Sequence, residues 1–130
     1  MYTFKDLVDI TNKLRSEEGC PWDREQTHES LKKHLEEESQ EVFCAIDNMD
    51  MENLCEELGD VLFQVMLHSQ IAKENNSFSI DDVVNGVCEK MIRRHPHVFG
   101  DKKAISPEEG EALWKAIKMQ EKACEKSKKP

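Results

Sequence analysis

One apolar stripe in this chain has a charge at its centre. Leu31, Leu35, position 38, Val42 and Ala45 follow one another in steps of four, three, four and three. That is the spacing of a helix seam that packs against another helix. Position 38 is Glu. Glu41, three residues on, lies on the same side of the helix, and Glu37 flanks the pair. A solvated acidic face avoids an apolar seam, whereas this cluster interrupts one. The next apolar segment repeats the arrangement. Glu57 and Asp60 are three apart, and their side continues through Gln64, Leu67 and Ile71.

The remaining signals describe an all-α chain of about five helices. Thr3 and Asp6 form a capping box ahead of Phe4, Leu7, Ile10 and Leu14. Gly19-Cys20-Pro21 ends that helix and opens an irregular stretch to about residue 27. A second helix begins near Thr27 or His28 and reaches about Asn48. Asp50 caps a third, from about 51 to 75, which stops at Asn75-Asn76. Ser79 with Asp82 opens a fourth, which Pro96 closes after His95. Ser106-Pro107-Glu108-Glu109 starts a last helix that reaches about Lys122. No segment alternates as a strand does. One helical domain, residues 1–125, is expected, followed by a flexible Lys-rich tail, 126–130.

Two helices joined by a short turn pack antiparallel. Glu38 and Glu41 lie about two turns before that turn, and Glu57 and Asp60 about two turns after it. The two acidic pairs therefore come level, and four carboxylates converge in a bundle core. Unpaired charges do not stay ionised in such a place, so they protonate or a cation neutralises them. All-oxygen ligation selects a hard ion, Mg²⁺ or Mn²⁺. Mg²⁺ commonly takes substrate phosphate oxygens at its open positions, which points to phosphate-ester or phosphoanhydride chemistry. A di-iron carboxylate bundle needs a Glu-x-x-His on each of two helices. Only Glu25-Gln-Thr-His28 fits here, ahead of the second helix.

Residues 61–67, Val-Leu-Phe-Gln-Val-Met-Leu, are apolar nearly all round. A helix of that kind is buried on every side, and five helices hardly cover one of their number. A homodimer or tetramer with this helix at its centre is the expected solution. The net charge of −9 argues against a nucleic-acid groove or an anionic membrane surface. No apolar run is long enough to span a bilayer. Five cysteines without a CxxC, and no signal peptide ahead of Leu14, predict reduced, cytoplasmic thiols that pack as small buried apolar residues.

Glu37-Glu38-x-x-Glu41 followed by Glu57-x-x-Asp60 resembles the EExxE…ExxD signature of MazG-type nucleoside triphosphate pyrophosphohydrolases. Gly19-Cys-Pro-Trp-Asp23, Gln26-Thr27-His28, Glu57-Leu-Gly-Asp60, Arg93-Arg-His-Pro-His-Val-Phe-Gly100 and Trp114-x-x-x-Lys118 extend the resemblance over roughly residues 5–120. The resemblance implies an all-α bundle completed by homodimerisation. It implies Mg²⁺-dependent hydrolysis of NTP or dNTP to NMP and pyrophosphate, a nucleotide-pool cleaning activity. By position, Glu38, Glu41, Glu57 and Asp60 would bind metal, and Glu37 would assist as a further ligand or by orienting water. Lys90 and Arg94 would grip the triphosphate, Trp114 would stack on the base and Lys118 would reach a phosphate. Read without the family, Trp114 beside Leu113 and Ile117 is core, and Lys90, Arg93 and Arg94 suit a helix C-terminus for its dipole alone. Two rival functions stand beside this one. One is a narrow-specificity dUTP/dCTP-type or phosphoribosyl-ATP pyrophosphohydrolase; the other is a non-catalytic helical dimer that binds nucleotides or a partner.

Overall fold

The computed structural model describes the backbone of residues 1–128 and the side chains of residues 1–125. The expected tail, 126–130, lies outside the described side chains. The described residues are all-helical. In order they form α1 (Phe4–Arg15), α2 (Pro21–Glu25), α3 (His28–Asp47), α4 (Met51–Glu74), α5 (Ile80–Arg94), α6 (Pro96–Phe99) and α7 (Pro107–Lys128). The five long helices match the sequence expectation. The short α2 and α6 are additions to it. The chain divides into two compact units, Met1–Ile80 and Asp81–Pro130.

In the first unit, local chemistry sets each boundary. Thr3 caps α1 with the expected box: its hydroxyl accepts from Asp6 N, and the Asp6 carboxylate accepts from Thr3 N at 2.8 Å. Beyond α1 the backbone turns back so closely that a Cβ on Gly19 would lie 2.2 Å from the Lys13 carbonyl oxygen. Only glycine fits there. α2 fills what the sequence reads as irregular, with Pro21 at its first position. Thr27 caps α3 by accepting from Ser30 N at 3.0 Å. α3 and α4 are joined through Asn48, Met49 and Asp50, with Met49 in the left-handed region at φ 52°. Asp50 then caps α4 by accepting from Asn53 N at 3.1 Å.

The connection is short enough to make α3 and α4 an antiparallel pair. His28 meets His68, Leu31 packs with Leu67 and Ile71, and Glu41 meets Glu57. Partners thus run in opposite directions along the two helices. Leu31, Leu67 and Ile71 form the core, with Phe63 against it. α1 joins this pair through Arg15, whose guanidinium is 7% exposed. It donates to both carboxylate oxygens of Glu74, at 3.0 and 2.8 Å, and to the carbonyls of Asp23 and Gln26. One side chain therefore ties the end of α1 to the end of α4 and to the loop that enters α3.

Within the single chain the apolar stretch 61–67 is covered except at Leu62, which is 42% exposed: Gln64, Met66 and Leu67 are buried and Val61, Phe63 and Val65 half-buried. Burial differs from the sequence expectation at the cysteines. Among the described residues the cysteines form no disulfide, and they are not buried: Cys44, Cys55, Cys88 and Cys124 are exposed and Cys20 is half-buried. They occupy helix faces that this chain alone leaves open. Leu35 also sits at the exposed edge of its stripe, while Glu38 turns further inward.

In the second unit, α5 begins directly after Ser79 and ends before His95, as the sequence predicts. Pro96 opens α6 rather than a loop. α7 starts at Pro107, where the Ser106 hydroxyl accepts from Glu109 N at 3.2 Å. Among the described residues of this unit none is fully buried.

Candidate active site

The four carboxylates meet as the antiparallel register requires. Glu38 and Glu41 on α3, and Glu57 and Asp60 on α4, each offer an oxygen within 4.8 Å of the others. Glu57 is buried and Glu38 half-buried; Glu41 and Asp60 are exposed. One carboxylate oxygen of Glu38 and one of Glu57 are buried without a hydrogen-bond partner. Such oxygens are costly to desolvate unless something positive reaches them.

The electrostatics agree. Burial pushes the Glu38 carboxyl up, and the charges of Asp60, Glu41 and Glu37 add to the shift. Glu57 is pushed up to about 7, first by its hydrogen bond with Glu41, then by burial and by the surrounding carboxylates. Near neutral pH Glu57 still holds part of a proton that a divalent cation would replace. The donor set is all oxygen, and it fits a hard ion. Gln64, one turn beyond Asp60, is 7% exposed and its amide oxygen is also unpartnered.

Glu37 stands at the rim, its side chain half exposed. His34 Nδ1 lies 3.8 Å from it and Lys33 Nζ 4.0 Å. Trp22, on α2, meets His34 edge-on with ring centres 5.4 Å apart. The loop ahead of α3 therefore reaches the acidic helix through an aromatic contact. His28 and His68 meet edge to edge with parallel ring planes, sharing an Nδ1···Nδ1 hydrogen bond at 2.8 Å that braces the start of α3 against α4.

The remaining site residues expected from the sequence fall in the second unit. Lys118 Nζ lies 5.1 Å and Arg94 Cζ 5.3 Å from the centre of the Trp114 ring, within cation–π range. Arg94 is held by Glu121, which accepts from Nε at 3.1 Å and Nη2 at 2.7 Å. Lys90, one turn before Arg94, is exposed. Trp114 also lines a cavity of about 350 Å³ with His95, His97 and Glu111. Trp114 is half-buried, so its ring is neither a plain core residue nor a free surface one.

The family model of the MazG nucleotide pyrophosphohydrolase domain matches residues 26–99, more than half of the chain. The chain belongs to the MazG family. Over 124 residues it is 55% identical to the nucleoside triphosphate pyrophosphohydrolase/pyrophosphatase MazG of Thermotoga maritima, covering 95% of this chain and 47% of that protein. Over 118 residues it is 43% identical to the nucleoside triphosphate pyrophosphohydrolase of Escherichia coli K12, covering 90% of this chain and 45% of that one. It thus spans about half the length of these curated relatives. Among solved structures it resembles a mazG-related protein from Thermotoga maritima at a TM-score of 0.71 and 33% identity, covering 88% of this chain and 98% of that chain.

In this MazG domain the four converging carboxylates and the Trp114 cluster are legible in the sequence motifs, whereas two of their neighbours, Glu121 and the contact of Trp22 with His34, lie outside those readings. Glu121 was legible from spacing. It follows Trp114 and Lys118 by seven and three residues, which puts it on the same face of α7. The contact of Trp22 with His34 had no such signal, because it depends on α2, whose five residues are too few to show a period.

Proposed function

We propose that this chain is a nucleoside triphosphate pyrophosphohydrolase: it hydrolyses NTP or dNTP to the monophosphate and pyrophosphate with Mg²⁺, or Mn²⁺ in its place. The observation that carries the reading is the convergence of Glu38, Glu41, Glu57 and Asp60, with two buried oxygens unpartnered, in a chain of the MazG family. Those four residues would hold the cation. When bound, it neutralises phosphate charge and makes a coordinated water more acidic.

The chain's own residues supply the rest. Glu37, at the rim, orients the attacking water or accepts its proton. Attack at the α-phosphorus breaks the α–β bridge, and pyrophosphate leaves. Lys90, Arg94 and Lys118 are cations suited to the phosphates, and Trp114 to stacking on the base. The names of the relatives support the reaction class. Nucleotide-pool cleaning in the cytoplasm is the role we assign to it, and cysteines that form no disulfide among the described residues suit that compartment.

The working unit in this reading is a homodimer. Met51, Leu58 and Leu62 on α4 and Phe43 and Ile46 on α3 are exposed apolar side chains at helical spacing. Such a face favours a second copy.

The experiment is product analysis. The purified chain is incubated with Mg²⁺ and each of the eight standard NTPs and dNTPs, and products are resolved as NMP, NDP, pyrophosphate and phosphate. NMP with pyrophosphate, lost on adding EDTA, is the expected result. NDP with phosphate would move the attack to the γ-phosphorus and overturn the reading. Turnover confined to dUTP or dCTP would narrow it to the specialised enzyme. No turnover at all would favour a non-catalytic binding dimer.

A further inference from the structure

Trp114, Lys118 and Glu121 form one stripe on α7, and within the same unit they meet Arg93 and Arg94 at the end of α5. Glu121 takes both arginines. One oxygen accepts from Arg94 Nε and Nη2; the other accepts from Arg93 Nε. This side-on fork occupies one edge of the Arg94 guanidinium and fixes its plane. That plane sits over Trp114, with Cζ 5.3 Å from the ring centre. A guanidinium has five N–H donors, so three remain after the fork. Arg93, Arg94 and Lys118 set three positive charges against one carboxylate, so the cluster stays cationic in a chain of net charge −9.

We propose that Glu121 is a positioning residue for nucleotide binding: it aims the open edge of Arg94 at the phosphates and holds the guanidinium against Trp114. The inference rests on the reading of Arg94 and Trp114 as nucleotide contacts. The opposite role would be a carboxylate that mimics phosphate and must be expelled by it. The geometry disfavours that role. The Glu121 side chain is 21% exposed and that of Arg94 is 12% exposed. Expelling Glu121 would break three charge-assisted hydrogen bonds at once and leave Arg93 and Arg94 facing each other unneutralised. The two arginines also hold the Glu121 carboxyl down at about 2, so it stays ionised throughout the working pH range.

A double-mutant cycle on the full chain tests this. KM and kcat are measured with Mg²⁺ for the best nucleotide on wild type, Glu121→Gln, Arg94→Gln and the double variant. Affinity for a non-hydrolysable NTP analogue is measured alongside. The expected result is a KM raised about tenfold by Arg94→Gln and several-fold by Glu121→Gln, with kcat changing less than KM. The double variant should bind no worse than Arg94→Gln alone, because Glu121 acts through Arg94. Glu121→Asp, which keeps the charge, should recover much of the affinity; it also carries the test if the Gln variant melts. In a Trp22→Phe background, Glu121→Gln should alter the emission of Trp114, because the cation over the ring is no longer fixed. Tighter binding by Glu121→Gln would make Glu121 a competitor of phosphate and overturn the proposal. Additive losses would overturn it too, as a fold effect unrelated to Arg94. Unchanged affinity in Arg94→Gln would remove the nucleotide reading of Arg94 itself, and the positioning role with it.

Discussion

Glu41 and Glu57 face each other across the α3–α4 seam and share a hydrogen bond that needs a proton, which pushes Glu57 up to about 7. The centre is therefore a proton store when no cation holds it. The folded chain keeps that proton where an unfolded glutamate has lost it. Between about pH 4.5 and 7 the native state binds more protons than the unfolded state, so stability falls as pH rises through that window. His68 acts in the opposite sense, because burial and His28 lower it, so the difference between two proteins is the useful quantity. In EDTA, the Tm of wild type minus that of Glu57→Gln should decline as pH rises through the window. Saturating Mg²⁺ should raise the wild-type Tm most at the alkaline end. A difference that is flat with pH sinks the shared proton.

In the proposed reading Glu38 and Asp60 hold the cation, so removing either charge should cost activity and leave the helices. Glu38→Gln and Asp60→Asn keep size and shape but weaken the hold on a divalent ion. Each should lower turnover by at least about a hundredfold, read as pyrophosphate release beside an unchanged far-ultraviolet circular dichroism spectrum. Relief of carboxylate crowding should leave the metal-free Tm of these variants equal to the wild type or above it. Wild-type rates in both would remove these residues from the metal set.

Much of this is legible in the sequence. The long helices announce themselves through Thr3, Thr27, Asp50 and Ser106-Pro107, because a cap is a local bargain between a side chain and the first free N–H groups. The carboxylate cluster was legible because Glu38 breaks an apolar stripe and the three-residue turn at 48–50 fixes which helix must face it. α2 and α6 escaped notice because five and four residues show no period, and only Pro21 and Pro96 mark them. The end of α7 at Lys128 escaped as well: beyond Lys122 the helix continues without an apolar stripe to reveal it. The exposure of Cys44 and Cys55 was not readable either, since burial depends on what covers a helix face and not on the face alone.

Trp114 distinguishes binding from chemistry. In the proposed reading Trp114 stacks on the base, a contact that holds substrate and transition state about equally, so its loss appears in KM. Trp114→Ala should raise KM about tenfold with a smaller fall in kcat, and Trp114→Phe should recover most of the loss. Circular dichroism melts on the same variants separate this from a packing role. An alanine variant that unfolds below the wild-type Tm by many degrees, with normal KM when folded, makes Trp114 a structural residue.

The open apolar face predicts assembly. Leu58 and Leu62 lie one turn apart on α4 and are 51% and 42% exposed in the single chain. Leu62→Glu would set a charge in the middle of that face. Light scattering after gel filtration should give a dimer for wild type and a monomer or unfolded chain for the variant. A wild-type monomer at micromolar concentration leaves the face without this partner.

Arg15 is the residue whose loss should cost the fold most for a single polar side chain. Its guanidinium makes four hydrogen bonds: two to the Glu74 carboxylate and one each to the carbonyls of Asp23 and Gln26. It is nearly buried, while Glu74 is 37% exposed, so water can partly repay the carboxylate but not the two carbonyls. The guanidinium also holds the Glu74 carboxyl below the usual range, so the pair is intact at neutral pH and weakens only in acid. Arg15→Ala should therefore destabilise by about 2–3 kcal/mol, below the figure for a fully buried pair. Arg15→Lys keeps the charge but not the fork, and should fall between the two. Urea denaturation at neutral pH measures both. Because the same guanidinium fixes the loop that carries Trp22 toward His34, hydrogen exchange in residues 20–27 should rise in Arg15→Ala before the rest of the first unit opens. Uniform exchange across that unit would show that Arg15 supports the whole helix assembly and has no special hold on the loop.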